Sequence, residues 1–190
     1  MFVGFNFEKC MEAVGVLFGT TESHTMGRMR LLKLLYLANR RSLAQTGKPI
    51  VDDDVYAMKF GPVLSQTYDL IKSPERPIEI QTIWRAHFKV VDRIQLEMVK
   101  DPGTDHLSDY DVETLTAIAH QYQDMDDDDL SQLTHGFEEY IRNWGSDPRP
   151  AVPISERDIL MGIGFTPEEI EENLSEAGMY ARERKLLGCR

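Results

Sequence analysis

The 190-residue chain has very little cysteine, and no run of apolar residues long enough to cross a membrane. Its two cysteines, Cys10 and Cys189, lie near opposite ends and form no CxxC pair, so neither a disulfide framework nor a cysteine metal site is predicted. The first ten residues lack the positive charge and the apolar stretch of a signal peptide. We therefore expect a cytoplasmic, reducing location and no membrane partner.

Positive charge is also scarce, because 21 lysines and arginines face 32 aspartates and glutamates, for a net charge of −11. Phosphate binding needs clustered cations, so nucleic acid is not expected as a partner of this chain alone. The cations are uneven: residues 1–50 hold seven of them against three glutamates. This asymmetry suits a basic or mixed-charge protein partner, and the alternative is that the charge serves solubility only.

Metal and catalytic motifs are missing from the sequence. The acidic run at residues 124–129 lacks the central glycine and the final glutamate of a calcium loop. Four histidines show no metal-ligand spacing to one another: His24, His87, His106 and His120. No metal, cofactor or catalytic residue is therefore predicted.

His135 is the most tempting polar residue. A catalytic histidine needs a positioned nucleophile and an orienting partner, and the sequence identifies neither. We interpret His135 as a structural histidine that hydrogen-bonds to the Lys59 backbone or to Tyr36. The alternatives are that it lines a groove for a partner, or that it serves a hydrolase together with an aspartate.

Hydrophobic periodicity predicts a mainly α-helical fold with one small antiparallel β element packed against the helices. The central predicted helix is apolar nearly all round, which indicates burial on all sides. The helices are predicted over Phe7 to Phe18 with Asn6 as N-cap, Met26 to Gln45 before Gly47, Pro62 to Ile71, Ser108 to Tyr122, Leu130 to Trp144, Ser155 to Gly162, and onward from Thr166.

The predicted β structure is a strand at Val55 to Phe60 and a hairpin across residues 84–98. In the hairpin Trp84 and Phe88 alternate with polar residues, which is typical of a strand. Both are interpreted as core residues, with an exposed partner-binding face as the alternative. A proline-rich break places a domain boundary near Asp147, so that residues 1–147 form one domain and residues 148–190 a helical extension.

Three sequence segments carry a family resemblance. They are Lys33-Leu34-Leu35-Tyr36 with Ala38; Gly47-Lys48-Pro49 followed by Asp53, Ala57 and Lys59-Phe60-Gly61-Pro62-Val63; and Asp129 to His135 followed by Trp144. In this order and spacing they resemble the Panacea domain, the SocA-like antitoxin family of prokaryotic and phage toxin–antitoxin systems. The resemblance covers roughly Phe7 to Ile159.

The resemblance implies a non-enzymatic antitoxin that neutralises a cognate toxin protein by binding it. Neutralisation by occlusion and delivery to a protease both stay open, so a protease or a regulatory protein is a further expected partner. The residues expected at the partner surface are Tyr36, Asn39, Arg40, Asp53, Lys59, Phe60, Thr134 and His135. The alternative function is a regulatory interaction module, or adaptor, that has no toxin partner and uses the charged last helix.

Overall fold

A computed structural model of the chain describes residues 5–72, 77–145 and 149–175. Within these ranges the fold is mainly α-helical with two small antiparallel sheets, which confirms the predicted fold class. Cys189 and the predicted boundary at Asp147 lie outside the described residues, so the two-domain division stays a prediction. No helix among the described residues is long and apolar enough to cross a membrane.

The helices are α1 (Phe7–Gly19), α2 (Arg28–Thr46), α3 (Ser65–Lys72), α4 (Ile78–His87), α5 (Asp109–Gln121), α6 (Asp127–His135), α7 (Glu138–Trp144) and α8 (Glu156–Ile163). Residues 167–175 are the described part of a ninth helix, α9. The strands are β1 (Thr25–Gly27), β2 (Val55–Met58), β3 (Gly61–Leu64), β4 (Phe88–Val90), β5 (Gln95–Met98) and β6 (Ala151–Ile154).

Several predicted helix ends are confirmed by hydrogen bonds. Asn6 accepts from the Lys9 backbone N–H at 2.9 Å and caps α1. Ser108 and Ser155 form complete capping boxes at the starts of α5 and α8. Gly47 ends α2 in the left-handed conformation, with φ 69°. Local side-chain chemistry thus determines where these helices begin and end.

Helix α2 is the centre of the fold, as its apolar sequence predicts. It packs against α1, α5, α6 and β3. Its buried residues run almost without interruption from Leu31 to Asn39 and join a core made with α1, α5 and the first sheet. A second, smaller core lies between the second sheet and the last helices, and its members are Leu43, Ala57, Tyr140, Val152, Ile154, Ile159, Leu160 and Ile170.

Each sheet has three antiparallel strands. The first has the order β1-β5-β4, with Met26 opposite Leu96. The second has the order β3-β2-β6, and the central Ala57 faces Pro62 on one side and Val152 on the other. The second sheet therefore joins a strand from residues 151–154 to the hairpin of residues 55–64.

The predicted helix start at Pro62 is wrong. Pro62 lies in β3, and α3 begins at Ser65. The β3 strand is an edge of its sheet, where a residue without a backbone N–H is tolerated. The helix begins later because the Asp53 carboxylate accepts the backbone N–H groups of Gln66 and Thr67, at 2.8 and 2.9 Å.

The predicted hairpin is wrong in its first half, because Trp84 lies in helix α4. Only Gln81 and Trp84 are buried in this helix, so most of its residues carry no burial constraint and their alternation is accidental. Gln81, Trp84 and Phe88 follow helical spacing instead. Trp84 and Phe88 are core residues as predicted, with exposures of 5% and 1%.

Two further boundaries differ from the prediction. Residues 25–27 form strand β1, so α2 starts at Arg28 rather than at Met26. The predicted helix over residues 130–144 is divided into α6 and α7 at Gly136. The Gly136 backbone N–H caps the end of α6, and Phe137 starts α7 with an extended backbone. Short strands of three residues carry too little periodicity to be read from the sequence.

Candidate functional site

Lys33 is a fully buried cation at the centre of the molecule, with 0% exposure. Its Nζ donates to the Pro62 carbonyl oxygen at 2.9 Å, and none of the ion pairs in the described residues includes it. Burial lowers the pKa of Lys33 from 10.5 to about 7. The amine is therefore divided between its charged and neutral forms near neutral pH.

Gly61 brings three polar side chains together because it has none of its own. A Cβ atom built on Gly61 would lie 2.6 Å from Thr134 Oγ1, 2.7 Å from Lys33 Nζ and 3.3 Å from the His135 ring. Gly61 also has φ +96°, a conformation that other residues rarely adopt. Thr134 is itself fully buried and donates to the Ser131 carbonyl at 2.9 Å.

His135 lies at the outer side of this group. Its ring stacks on Tyr140, with 4.8 Å between the ring centroids. Burial lowers the pKa of His135, and the charge of Lys33 lowers it further, while a backbone hydrogen bond at Lys59 raises it. His135 is therefore mainly neutral at pH 7, as a structural histidine is expected to be.

The turn between β2 and β3 presents Phe60 to solvent. The Phe60 side chain is 55% exposed, and the Lys59 ammonium lies 5.3 Å from the centre of its ring. The backbone of this turn is held from below, because Ser131 donates to the Phe60 carbonyl at 3.1 Å and Tyr140 to the Met58 carbonyl at 2.9 Å. An exposed aromatic ring thus sits on a fixed backbone.

A second polar cluster is built around Glu139, which has 0% exposure. The Tyr36 hydroxyl donates to its Oε1 at 2.7 Å, and Arg40 Nε donates to the same oxygen at 2.6 Å. Arg40 also lies over the Phe137 ring, 4.1 Å from its centre, and donates to the Gly162 carbonyl at 3.2 Å. Burial raises the pKa of Tyr36, and Glu139 raises it further, so the hydroxyl keeps its proton.

Asn39 and Asp53 fix the segment between α2 and β2, and Asp53 also fixes the start of α3. Asn39 exchanges two hydrogen bonds with the Val51 backbone, at 2.8 and 2.9 Å. Asp53 caps α3, and burial raises the pKa of its carboxyl while the bonds from Gln66 and Thr67 lower it. Both side chains form hydrogen bonds with backbone groups that would otherwise be buried without a partner.

The structure divides the eight predicted surface residues into three places. Lys59, Phe60, Thr134 and His135 gather around Gly61, and Tyr36 and Arg40 meet at Glu139. Asn39 binds the segment between α2 and β2, and Asp53, within that segment, binds the start of α3. Glu139 is absent from the prediction, as is Lys33 in any site role. Lys33 had a visible signal, because a lysine flanked by apolar residues in a helix buried on all sides is itself buried.

The acidic run at residues 124–129 has structural roles. Asp126 caps α6, and Asp127 pairs with Arg30 at 2.9 Å. Among the described residues no group of three or more histidines, cysteines, aspartates or glutamates could hold a metal ion.

A protein-family model described as "Antitoxin SocA-like, Panacea domain" matches residues 31–140, more than half of the chain. The chain belongs to the SocA-like Panacea family. The matched range starts inside α2, ends inside α7, and contains the Phe60 turn and both polar clusters apart from Gly162. No curated protein and no solved structure matches the chain.

Proposed function

We propose that this Panacea-family chain is an antitoxin that acts in the cytoplasm of a prokaryote by binding a cognate toxin protein and blocking it. Family membership supports the antitoxin class, and the Phe60 turn is the observation that supports binding through this part of the fold. Aromatic side chains are enriched among the residues that dominate binding energy at protein interfaces. In this proposal the chain has no catalytic role.

Phe60 and Lys59 are proposed as the contact residues, with His135 beside them. The ring of Phe60 offers apolar area that needs no rearrangement before binding, because three hydrogen bonds from buried side chains fix the β2–β3 hairpin: those of Lys33, Ser131 and Tyr140. Fixing a contact residue before binding reduces the entropy lost when the complex forms.

The buried members of the predicted surface have a supporting role in this proposal. Tyr36 and Thr134 have exposures of 1% and 0%, so a partner could reach them only after a change in the fold. Arg40 is partly exposed, with 21% of its side chain accessible. In this proposal Arg40 connects the buried residues to the partner surface, since it joins α2 to α7 and α8.

The test is co-expression with the product of the neighbouring gene. We expect that protein to arrest growth alone, growth to resume when the intact chain is present, and the two proteins to purify together. Phe60→Asp should abolish rescue and co-purification, because a carboxylate at the centre of an apolar contact loses its hydration without a partner.

Ile94→Asp is the matched control, because Ile94 is 66% exposed and follows a turn of the first sheet. We expect it to rescue growth as the unchanged chain does. A neighbouring product with no toxicity, or rescue by Phe60→Asp equal to that of the control, would contradict the proposal. In the first case the regulatory-module alternative would be favoured.

A further inference from the structure

A cavity of about 440 Å³ lies between α3, α4 and β4, away from the Phe60 turn. None of its lining residues belongs to either polar cluster described above. Its volume falls in the range of small-molecule sites, which is about 300 to 1,000 Å³. Apolar groups and cations line it, together with the amide of Gln81.

The cations are unexpected in a chain with a net charge of −11. Arg28, Lys72, Arg85 and Lys89 line the cavity, and the described lining includes no aspartate or glutamate. The charge of Asp92 acts on Arg28 and that of Asp69 acts on Lys72. The repulsion that an entering anion would relieve therefore falls mainly on Arg85 and Lys89.

Only some of the N–H donors of these cations form hydrogen bonds within the described residues. Lys72 donates to the Tyr68 hydroxyl at 2.7 Å, and one Arg28 Nη donates to the Asp92 carbonyl at 3.2 Å. Arg28 Nε is buried and has no hydrogen-bond partner among the described residues. A buried donor without a partner is costly, and because Arg28 Nε has no accessible surface, a ligand oxygen would meet it only after the Arg28 side chain moves.

Arg85 and Lys89 are both exposed and one helical turn apart in sequence, at the end of α4 and in β4. No ion pair joins either of them to another described residue. They can therefore turn toward an anion at the mouth of the cavity without breaking an existing pair.

The inner wall is apolar and aromatic. It includes Leu70, Trp84 and Phe88, and the last two rings lie 4.5 Å apart between centroids. A bare anion would leave this wall without contacts, whereas a ligand with an apolar or aromatic body would cover it. A single carboxylate would neutralise only one of the four cations.

We propose that this cavity binds a small phosphate compound that carries two or more negative charges and an apolar or aromatic body, the chemical class of nucleotides. Arginine and lysine bind phosphate oxygens through charge-assisted hydrogen bonds. The site shares no residue with the Phe60 turn, so its ligand and the proposed partner would not compete for the same contacts.

The test measures binding of ADP, inorganic pyrophosphate, benzoate and an octaglutamate peptide to the full chain by isothermal titration calorimetry. We expect ADP to bind most tightly, pyrophosphate more weakly, and benzoate most weakly, because only ADP supplies both several charges and an aromatic body. Trp144→Phe leaves Trp84 as the only tryptophan, and its fluorescence should then change on ADP binding.

The double variant Arg85→Gln/Lys89→Gln should weaken ADP binding by about tenfold or more, since two charge-assisted contacts are lost. The matched control is Arg93→Gln/Lys100→Gln, which removes the same charge from exposed residues outside the cavity lining. We expect the control to bind ADP as the unchanged chain does.

Three results would overturn the proposal. The first is no binding of ADP or pyrophosphate, and the second is an equal loss in both double variants, which would indicate attraction to the surface as a whole. The third is tighter binding of octaglutamate than of ADP, which would assign the cavity to an acidic segment of a protein.

Discussion

Lys33 and Arg40 lie seven residues apart on one face of α2, with Tyr36 between them. Arg40 meets a buried carboxylate, Glu139, at 2.6 Å. Lys33 meets only the carbonyl of Pro62, and its charge has no ion-pair partner among the described residues. One helix face therefore carries a compensated cation at one end and an uncompensated cation at the other.

The two cations of α2 thus lie in regions with different electrostatic surroundings. At Glu139 the attraction between opposite charges offsets the loss of hydration, and the pair joins three helices. At Lys33 the one hydrogen bond that offsets that loss among the described residues goes to a carbonyl, and burial lowers the pKa to about 7. We expect the Glu139 region to resist changes in pH and the Lys33 region to respond to them.

Glu139→Ala should have the largest destabilising effect, because it converts the compensated region into an uncompensated one. Removing one partner of a buried pair costs about 3 to 5 kcal/mol. Partial exposure of Arg40, at 21%, places the expected loss near the lower end. The measurement is the free energy of unfolding in urea.

Glu138→Ala is the control for that change. Glu138 precedes Glu139 in α7, is 68% exposed and pairs with Arg142 at 3.5 Å. An exposed pair of this kind contributes about 0.5 kcal/mol or less. Equal losses for the two variants would show that the buried pair does not stabilise α7 against α2.

Gly61→Ala should have the next largest effect, about 2 to 3 kcal/mol, because strain and overlap add. The new methyl group would meet Thr134 Oγ1 at 2.6 Å and Lys33 Nζ at 2.7 Å, at a residue with φ +96°. Thermal unfolding measures the loss. Gly103→Ala separates the two causes, since Gly103 has φ +82° and no described atom within 4 Å of its Cβ position.

An equal loss of stability in Gly103→Ala and Gly61→Ala would contradict the claim that steric overlap near Lys33 adds to the cost. In that case the positive φ alone would explain the cost, and the close approach of Lys33 and Thr134 to Gly61 would contribute nothing.

Lys33→Met should stabilise the chain, by less at pH 9 than at neutral pH. In the folded chain the pKa of Lys33 is about 7, whereas in the unfolded chain it is 10.5. The unfolded state binds the extra proton between these values, so the stability of the unchanged chain rises with pH there. The destabilisation caused by burying the charged form of Lys33 is complete below pH 7 and disappears toward pH 10.5.

The variant removes this penalty, so the difference in unfolding free energy between variant and unchanged chain should shrink as pH rises from 7 to 9. The slope should approach about 1.4 kcal/mol per pH unit. Urea unfolding at several pH values measures it, and Lys59→Met, at an exposed neighbour, should show no such slope. A constant difference between pH 6 and pH 9 would show that Lys33 stays charged in the fold.

The sequence predicts this fold best where local chemistry decides the outcome. The caps at Asn6, Ser108 and Ser155 need only neighbours three residues away, and all three are present. Pro62 was misleading, because its place in β3 depends on pairing with β2 and not on its local preference. Trp84 was misleading too, because only two residues of α4 are buried and so few apolar positions show no helical periodicity.

The candidate site was harder to predict than the fold. Residues such as Tyr36 and Thr134 could be named from the family segments, but their burial depends on contacts with α7 and β3 that no local pattern encodes. Glu139 follows another glutamate, Glu138, which is exposed, and the burial of Glu139 comes from the approach of Tyr36, Arg40 and Gly162. Long-range packing of this kind cannot be read from spacing alone.

The pairing of β6 with β2 has a consequence for any shortened version of this protein. Residues 151–154 lie beyond the family match, which ends at residue 140, yet they cover one side of the strand at the middle of the second sheet. A chain that stopped at the end of the match would leave the backbone groups of Val55–Met58 open on that side. Bare strand edges recruit other strands, so such a fragment should self-associate, and a minimal unit has to extend through β6.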